Sequence, residues 1–186
     1  GVVDSVVAHE VKDGRAAEGD LRGGFPVLPA PAARCTPAVR YAHRMHTVFA
    51  SPLRYTQGPG VTATLGQEMA GLGLHGPVCI LAGKSARRDL ESTWAATFGA
   101  VNMPYGVYAF GGECSVPEIA RARAAAEAIG AQVIVAAGGG KALDTGRAVA
   151  AELSVPAVIC PTIASTDSPC SAISVIYTES GEVESA

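Results

Sequence analysis

VIVAAGGGKALDTG, residues 133–146, decides the fold. Residues 132–137 form an apolar run broken only at its first position, the pattern of a strand buried on both faces in a parallel sheet. Gly138, Gly139 and Gly140 then turn the chain, and KALDTGRAVAAEL at 141–153 reads as a helix. Glycines let a backbone turn sharply and approach a ligand with no Cβ in the way. A helix start presents free N–H groups and the positive end of its dipole to an anion. Lys141 adds a full charge at the same point, so the segment suits a diphosphate. The spacing is not G-x-G-x-x-G, since Leu143 stands at the third glycine position, and it is not that of a P-loop. A plain tight turn is the competing reading. Gly146 inside the helix costs about 1 kcal/mol against Ala, which predicts close packing there.

Working outward, the same alternation repeats. Short apolar runs at 78–82, 106–110, 157–160 and 173–177 read as further strands. Between them, 61–72 carries Leu65, Met69 and Leu72, and 86–98 carries Leu90, Trp94 and Phe98, both at helical spacing. These are core stripes. The helix at 116–129 opens on Ser115-Val-Pro-Glu118, which reads as a capping box with Pro in the first turn, and Gly130 ends it. Strand–helix alternation of this kind predicts an α/β domain with an open, mainly parallel, Rossmann-like sheet and right-handed crossovers. ISVIYTESGEVE at 173–184 reads as a hairpin at the edge of that sheet.

Residues 1–44 read differently. Pro26, Pro29, Pro31 and Pro37 cluster with glycines and alanines and no period persists, so a disordered extension or an artefact of the gene start is expected. The globular domain is expected over 45–186. Across 186 residues, 48% are hydrophobic and 17% charged, which excludes a wholly disordered chain. A net charge of −3 gives no basic footprint for nucleic acid. No 18-residue apolar run exists to span a membrane. The five cysteines are widely spaced without a CxxC pair, which argues against a disulfide framework or zinc cage and fits a reducing cytoplasm. Cys79 and Cys160 lie in apolar runs and read as buried, inert thiols.

A second segment, CPTIASTDSPCSA at 160–172, follows a strand and so lies at the C-terminal edge of the sheet, where open α/β folds bind ligands. It supplies several hydroxyls and one charge, Asp167. Ordinary turn chemistry explains it equally well.

GGGKALDT, PTIASTDSPCSA and SVIYTESGE, with SPLRYTQGPG at 51–60 and FGGECS at 110–115, together resemble the glycerol dehydrogenase family of the iron- and zinc-containing alcohol dehydrogenase superfamily. The resemblance covers about residues 48–184. It implies oxidation of a secondary hydroxyl of glycerol to dihydroxyacetone with NAD as cofactor and zinc as the divalent metal. It implies an N-terminal α/β domain for NAD, a C-terminal helical domain, absent here, for most of the metal site, and a homo-oligomer at full length. By motif position, Gly139, Gly140, Lys141, Ala142, Leu143 and Asp144 line the diphosphate end. Thr162, Ile163, Ala164 and Ser165 meet the cofactor on the adjoining strand end, with Ser171, Ile173 and Tyr177 further along. Asp167 matches the aspartate that contacts glycerol.

Two departures from that family matter. Where the family places an aspartate that grips the adenosine ribose, this chain has Gly83 followed by Lys84. A carboxylate there contributes about 1.5–3 kcal/mol, so its loss weakens NAD about 10- to 100-fold. Lys84 instead suits a 2′-phosphate. The family's metal ligands, an Asp and two His, lie downstream of Ala186, and none of His9, His43, His46 and His75 stands in a matching motif. The chain thus reads as the cofactor half of an enzyme. The alternatives are a non-catalytic nucleotide-binding module or pseudoenzyme, and another superfamily member such as a glycerol-1-phosphate dehydrogenase or a dehydroquinate-synthase relative.

Overall fold

The computed structural model describes residues 5–9, 52–164, 167–178 and 180–185. In chain order these form β1 (Ser5–His9), β2 (Arg54–Gln57), a 3-10 turn (Val61–Thr64), α1 (Leu65–Gly71), β3 (Val78–Ala82), α2 (Lys84–Ala100), β4 (Tyr105–Ala109), α3 (Val116–Ala128), β5 (Val133–Gly138), α4 (Gly140–Leu153), β6 (Ala157–Pro161), β7 (Ile176–Tyr177) and β8 (Val183–Ser185). One sheet has the order β2-β1-β6-β5-β3-β4. The four strands β6, β5, β3 and β4 are parallel, as the apolar runs predict. Every residue of β3, β5 and β6 is buried.

The reason is visible in the two cores. Val78, Ile80 and Ala82 of β3 face Leu65, Leu90, Trp94 and Phe98 of α1 and α2. Cys79 and Leu81 of the same strand face Ile119, Ala122, Leu143 and Val149 of α3 and α4. Alternate residues of one strand thus feed opposite cores, which is why the run carries no polar position. Gly146 confirms the packing argument: a Cβ there would lie 2.4 Å from the Ala136 Cβ, so α4 rests directly on β5. Gly138 is tied as closely, since its Cβ would meet Ala142 Cβ at 2.8 Å.

Several expectations change. Residues 1–44 were expected to lack fixed structure, yet Ser5–His9 is a strand inserted between β2 and β6, antiparallel to both. Its partners Ala157–Ile159 stand some 150 residues away in sequence, so nothing local announces it. Residues 10–44 lie outside the described residues. The 173–184 hairpin forms, but as a separate two-stranded sheet, not at the edge of the main one. It is attached instead by the Tyr177 N–H, which donates to the Cys114 carbonyl (2.7 Å). β4, expected to be buried on both faces, is an edge strand with Val107 36% exposed. The capping box also differs. Ser115 makes no side-chain cap bond. The Glu118 carboxylate instead accepts from the Gly111 N–H (2.6 Å), the Tyr108 hydroxyl (3.1 Å) and Arg121 (2.7 Å), clamping the loop after β4.

One consequence of strand order positions the site. The chain leaves β3 through α2 toward β4, but leaves β5 through α4 toward β6, on the other side. β3 and β5 are neighbours, so the direction of winding reverses between them. Crevices of this kind, at the carboxyl ends of the strands, are where open α/β sheets hold ligands.

Candidate functional site

Both strands at that reversal lead through glycine into a helix with lysine in its first turn. Gly83 precedes Lys84 at the start of α2, and Gly139 and Gly140 precede Lys141 at the start of α4. The two ends are joined by the Gly83 N–H, which donates to the Ala137 carbonyl (3.0 Å). Neither helix has a side-chain cap bond or an acidic residue in its first turn. Their first N–H groups therefore remain available to an anion.

At the start of α4 a cleft of about 410 Å³ is lined by Gly140, Lys141, Asp144, Asp167, Ser168, Ser171, Ile173, Val175 and Tyr177. The structure thus brings together seven of the positions singled out by sequence: Gly140, Lys141, Asp144, Asp167, Ser171, Ile173 and Tyr177. Gly139 is the residue before the helix, and a Cβ on it would lie 3.1 Å from Ile163 Cδ1. Ala142 and Leu143 are buried in the core and do not line the cleft. Thr162 sits at the end of β6, where its N–H donates to the Gly138 carbonyl (2.9 Å). Ile163 and Ala164 are exposed beyond it, away from the cleft lining. Ser165 lies outside the described residues.

Charges in the cleft are mostly spoken for. Lys141 Nζ contacts both oxygens of Glu113 at 2.6 Å and stands 5.0 Å above the Tyr177 ring. Asp144 is held from three sides. Its Oδ1 accepts from Arg147 Nη1 (2.9 Å) and from the Ser168 hydroxyl (2.6 Å), and its Oδ2 accepts from the Val175 N–H (3.2 Å). Arg147 also donates to the carbonyls of Ser168 and Ile173. Asp144 and Arg147 are both over nine-tenths buried, so this pair is the tie that seats the 167–175 loop on α4. By contrast Asp167 is exposed, and its carboxylate has no partner among the described residues. It is the acid in this cleft left free for a ligand.

Sequence reasoning missed Arg147, Ser168 and Val175, because their roles depend on contacts more than 20 residues apart. Glu113 lay inside the recognised FGGECS segment but carried no role there. A lysine at a helix start and an acid at a strand end are individually common.

The thiols behave as expected from burial. Desolvation pushes Cys79 up to about 11 and Cys160 up to about 12, and raises Cys114 as well. Among the described residues no three His, Cys, Asp or Glu side chains converge as a metal site. The described residues therefore do not by themselves fit a zinc ion.

The profile of the family described as iron-containing alcohol dehydrogenase matches residues 52–185. The chain belongs to that family. Among curated members, a glycerol dehydrogenase from Escherichia coli is 41% identical over 140 residues, covering 75% of this chain and 38% of that protein. One from Thermotoga maritima is 43% identical over 136 residues, covering 73% and 36%. Among solved structures, a probable glycerol dehydrogenase from Sinorhizobium meliloti superposes with a TM-score of 0.60 at 36% identity, covering 68% of this chain and 33% of that one. The chain thus spans a little over a third of the length of these relatives. Within an iron-containing alcohol dehydrogenase, the matched region contains the strand reversal and both glycine–lysine helix starts.

Proposed function

We propose that this chain forms the dinucleotide-binding part of a dehydrogenase that oxidises glycerol to dihydroxyacetone. The observation that carries the proposal is the pairing, in one cleft, of an uncapped helix start bearing Lys141 with the unpartnered carboxylate of Asp167. The α4 N–H groups and Lys141 bind the cofactor diphosphate, an interaction that needs no base or sugar specificity. Ile173 and Tyr177 give the adjoining wall an apolar and aromatic surface for a flat ring. A bound nicotinamide ring would supply the hydride acceptor, with the hydroxyl proton passing to solvent. Asp167 accepts a hydrogen bond from a glycerol hydroxyl and so orients that carbon; it does not itself stabilise an alkoxide. Buried Asp144 and Arg147 keep the loop that carries Asp167 at the mouth of the cleft.

Calorimetric titration with a nicotinamide dinucleotide tests the first half. The chain should bind, and Gly140→Val should lose binding because a branched side chain then stands at the anion site. Equal affinity in parent and variant removes the diphosphate assignment. In an enzyme extended to the length of its relatives, Asp167→Asn should raise the glycerol KM about tenfold, the loss of one charge-assisted hydrogen bond. An effect on dinucleotide affinity instead of KM would move Asp167 from substrate to cofactor.

A further inference from the structure

A second opening, of about 510 Å³, lies across the reversal from the Lys141 cleft, at the ends of β3 and β4. Lys84, Arg87, Arg88 and Glu91 supply its charges, and Phe110 an apolar wall. We propose that this opening selects a dinucleotide phosphorylated on the adenosine 2′-hydroxyl, NADP(H) over NAD(H), with Lys84 and Arg87 taking the phosphate. The inference rests on the reading of the chain as dinucleotide-binding.

Four observations point the same way. First, the basic charge is not neutralised internally. Arg88 is held by its neighbour Asp89 through two bonds, at 2.6 and 2.9 Å, and that pair cancels. Lys84 and Arg87 have no ion-pair partner among the described residues, and Glu91 opposes only one of them. Second, Arg87 Nε is buried without any hydrogen-bond acceptor. Buried donors are nearly always paired; Arg147 Nε and Trp94 Nε1 are also unpaired among the described residues, but Arg87 is the one of the three that lines this opening. A phosphate supplies several acceptors, in the geometry a guanidinium matches. Third, the strand end that borders the opening carries no acid. Gly83 is not there for lack of room: a Cβ would have only the Ala137 carbonyl within reach, at 3.9 Å. A carboxylate at that point would grip ribose hydroxyls and repel a phosphate on one of them. Fourth, β3 and β5 are adjacent strands, spaced about 5 Å apart, so the α4 start and the opening at the end of β3 lie at neighbouring strand ends.

Lys84 and Arg87 act by different means. Lys84, at the first position of α2, is exposed and adds a point charge to the helix end. Arg87, one turn on, presents a planar fork whose inner N–H is already desolvated. The phosphate thus has one long-range and one directional contact. Glu91 limits the preference, because its carboxylate faces the same opening.

The test is a fluorescence titration of the 186-residue chain with NADPH and NADH, with 2′,5′-ADP and 5′-AMP compared by calorimetry. NADPH should bind about tenfold tighter or more, the value of one or two charge-assisted contacts. The same order should hold for 2′,5′-ADP over 5′-AMP. Raising salt from about 50 mM to about 500 mM should shrink the preference, since the Debye length falls from about 14 Å to about 4 Å and the exposed Lys84 charge is screened. Lys84→Ala and Arg87→Gln should each reduce the NADPH/NADH affinity ratio, and together bring it near one. Gly83→Asp should reverse it, and circular dichroism should show native helix content in every variant. NADH binding as tightly as NADPH overturns this inference and leaves the proposed function standing. A preference that survives the Lys84→Ala/Arg87→Gln double variant overturns the assignment to these residues. Failure of both dinucleotides to bind overturns the inference together with the function it rests on.

Discussion

The two glycine–lysine helix starts share a sequence pattern and differ in what surrounds them. At α4 the lysine is paired with Glu113, covered by Tyr177, and roofed by a loop tied down through Asp144 and Arg147. At α2 the lysine is exposed, its neighbouring arginine keeps an unpaired N–H, and the one pair nearby is between adjacent surface residues. The lesson is that the same Gly-Lys helix start folds into quite different settings. The setting is decided by which later segments fold over it. On the function and the selectivity proposed above, the closed start takes the group common to all dinucleotides and the open one the group by which they differ.

The sharpest way to break this contrast is to cut the tie at the closed start. Asp144→Ala leaves the buried Arg147 guanidinium unpaired, and removing one member of a buried pair costs about 3–5 kcal/mol. A urea titration should show a large fall in midpoint, whereas Asp89→Ala at the open start should leave the midpoint unmoved. An equal response at both would mean that the Asp144 pair is as solvated as a surface one.

Glycines in the two helices give a second, smaller contrast. Gly146→Ala pushes a methyl to within 2.4 Å of Ala136 Cβ. The overpacking costs about 1–3 kcal/mol, against a gain of about 1 kcal/mol in helix propensity. A lowered Tm is expected. Gly99→Ala in α2 meets nothing within 4 Å, so it should raise Tm, by about 0.5–1 kcal/mol of stability.

Smaller still is Glu113→Gln. Both members of its pair with Lys141 are over one-third exposed, so stability should change by less than about 1 kcal/mol. Dinucleotide binding should instead tighten at low salt, because the lysine loses a competing anion, and the gain should fade as salt rises. Unchanged affinity at low salt would mean that Lys141 does not meet the diphosphate.

At neutral pH the buried thiols should be silent. Cys79 and Cys160 have folded values raised above an ordinary 9.0, to about 11 and about 12. The folded chain therefore keeps protons that the unfolded chain releases, so stability falls as pH rises from about 9 toward 11. Urea midpoints at pH 8 and pH 10 check the sign. Among the four described cysteines, only exposed Cys170 should react with a thiol reagent before unfolding.

Much of this frame was legible in the sequence, for a physical reason. Strands buried on both faces cannot tolerate polar residues, so β3, β5 and β6 stand out as short apolar runs. Of the glycines between β5 and α4, Gly138 is required by packing, since a Cβ there would meet the Ala142 Cβ at 2.8 Å. What was not legible depends on distant partners. β2 is a four-residue edge strand, Arg54–Gln57, with two polar and one charged residue, and β1 acquires its place only by pairing with β6. Glu118 has the spacing of a capping residue, yet the Gly111 N–H lies within its reach and wins it. At the site, the lysine and the free aspartate could be read, but the knot that positions them could not. It joins Asp144 to residues 24 and 31 positions later.

That knot has a consequence for how the molecule breathes. One carboxylate and one guanidinium bind Ser168, Ile173 and Val175 at once, so the loop cannot peel from α4 one contact at a time. Releasing any one of these bonds while the others hold leaves a buried polar group without its partner, although Asp144 and Arg147 stay paired with each other on α4. Opening is therefore all-or-none over this stretch, a single cooperative unit in hydrogen exchange. The Val175 amide should exchange at a rate set by that joint opening, unlike the amides at the exposed tip of the β7–β8 hairpin.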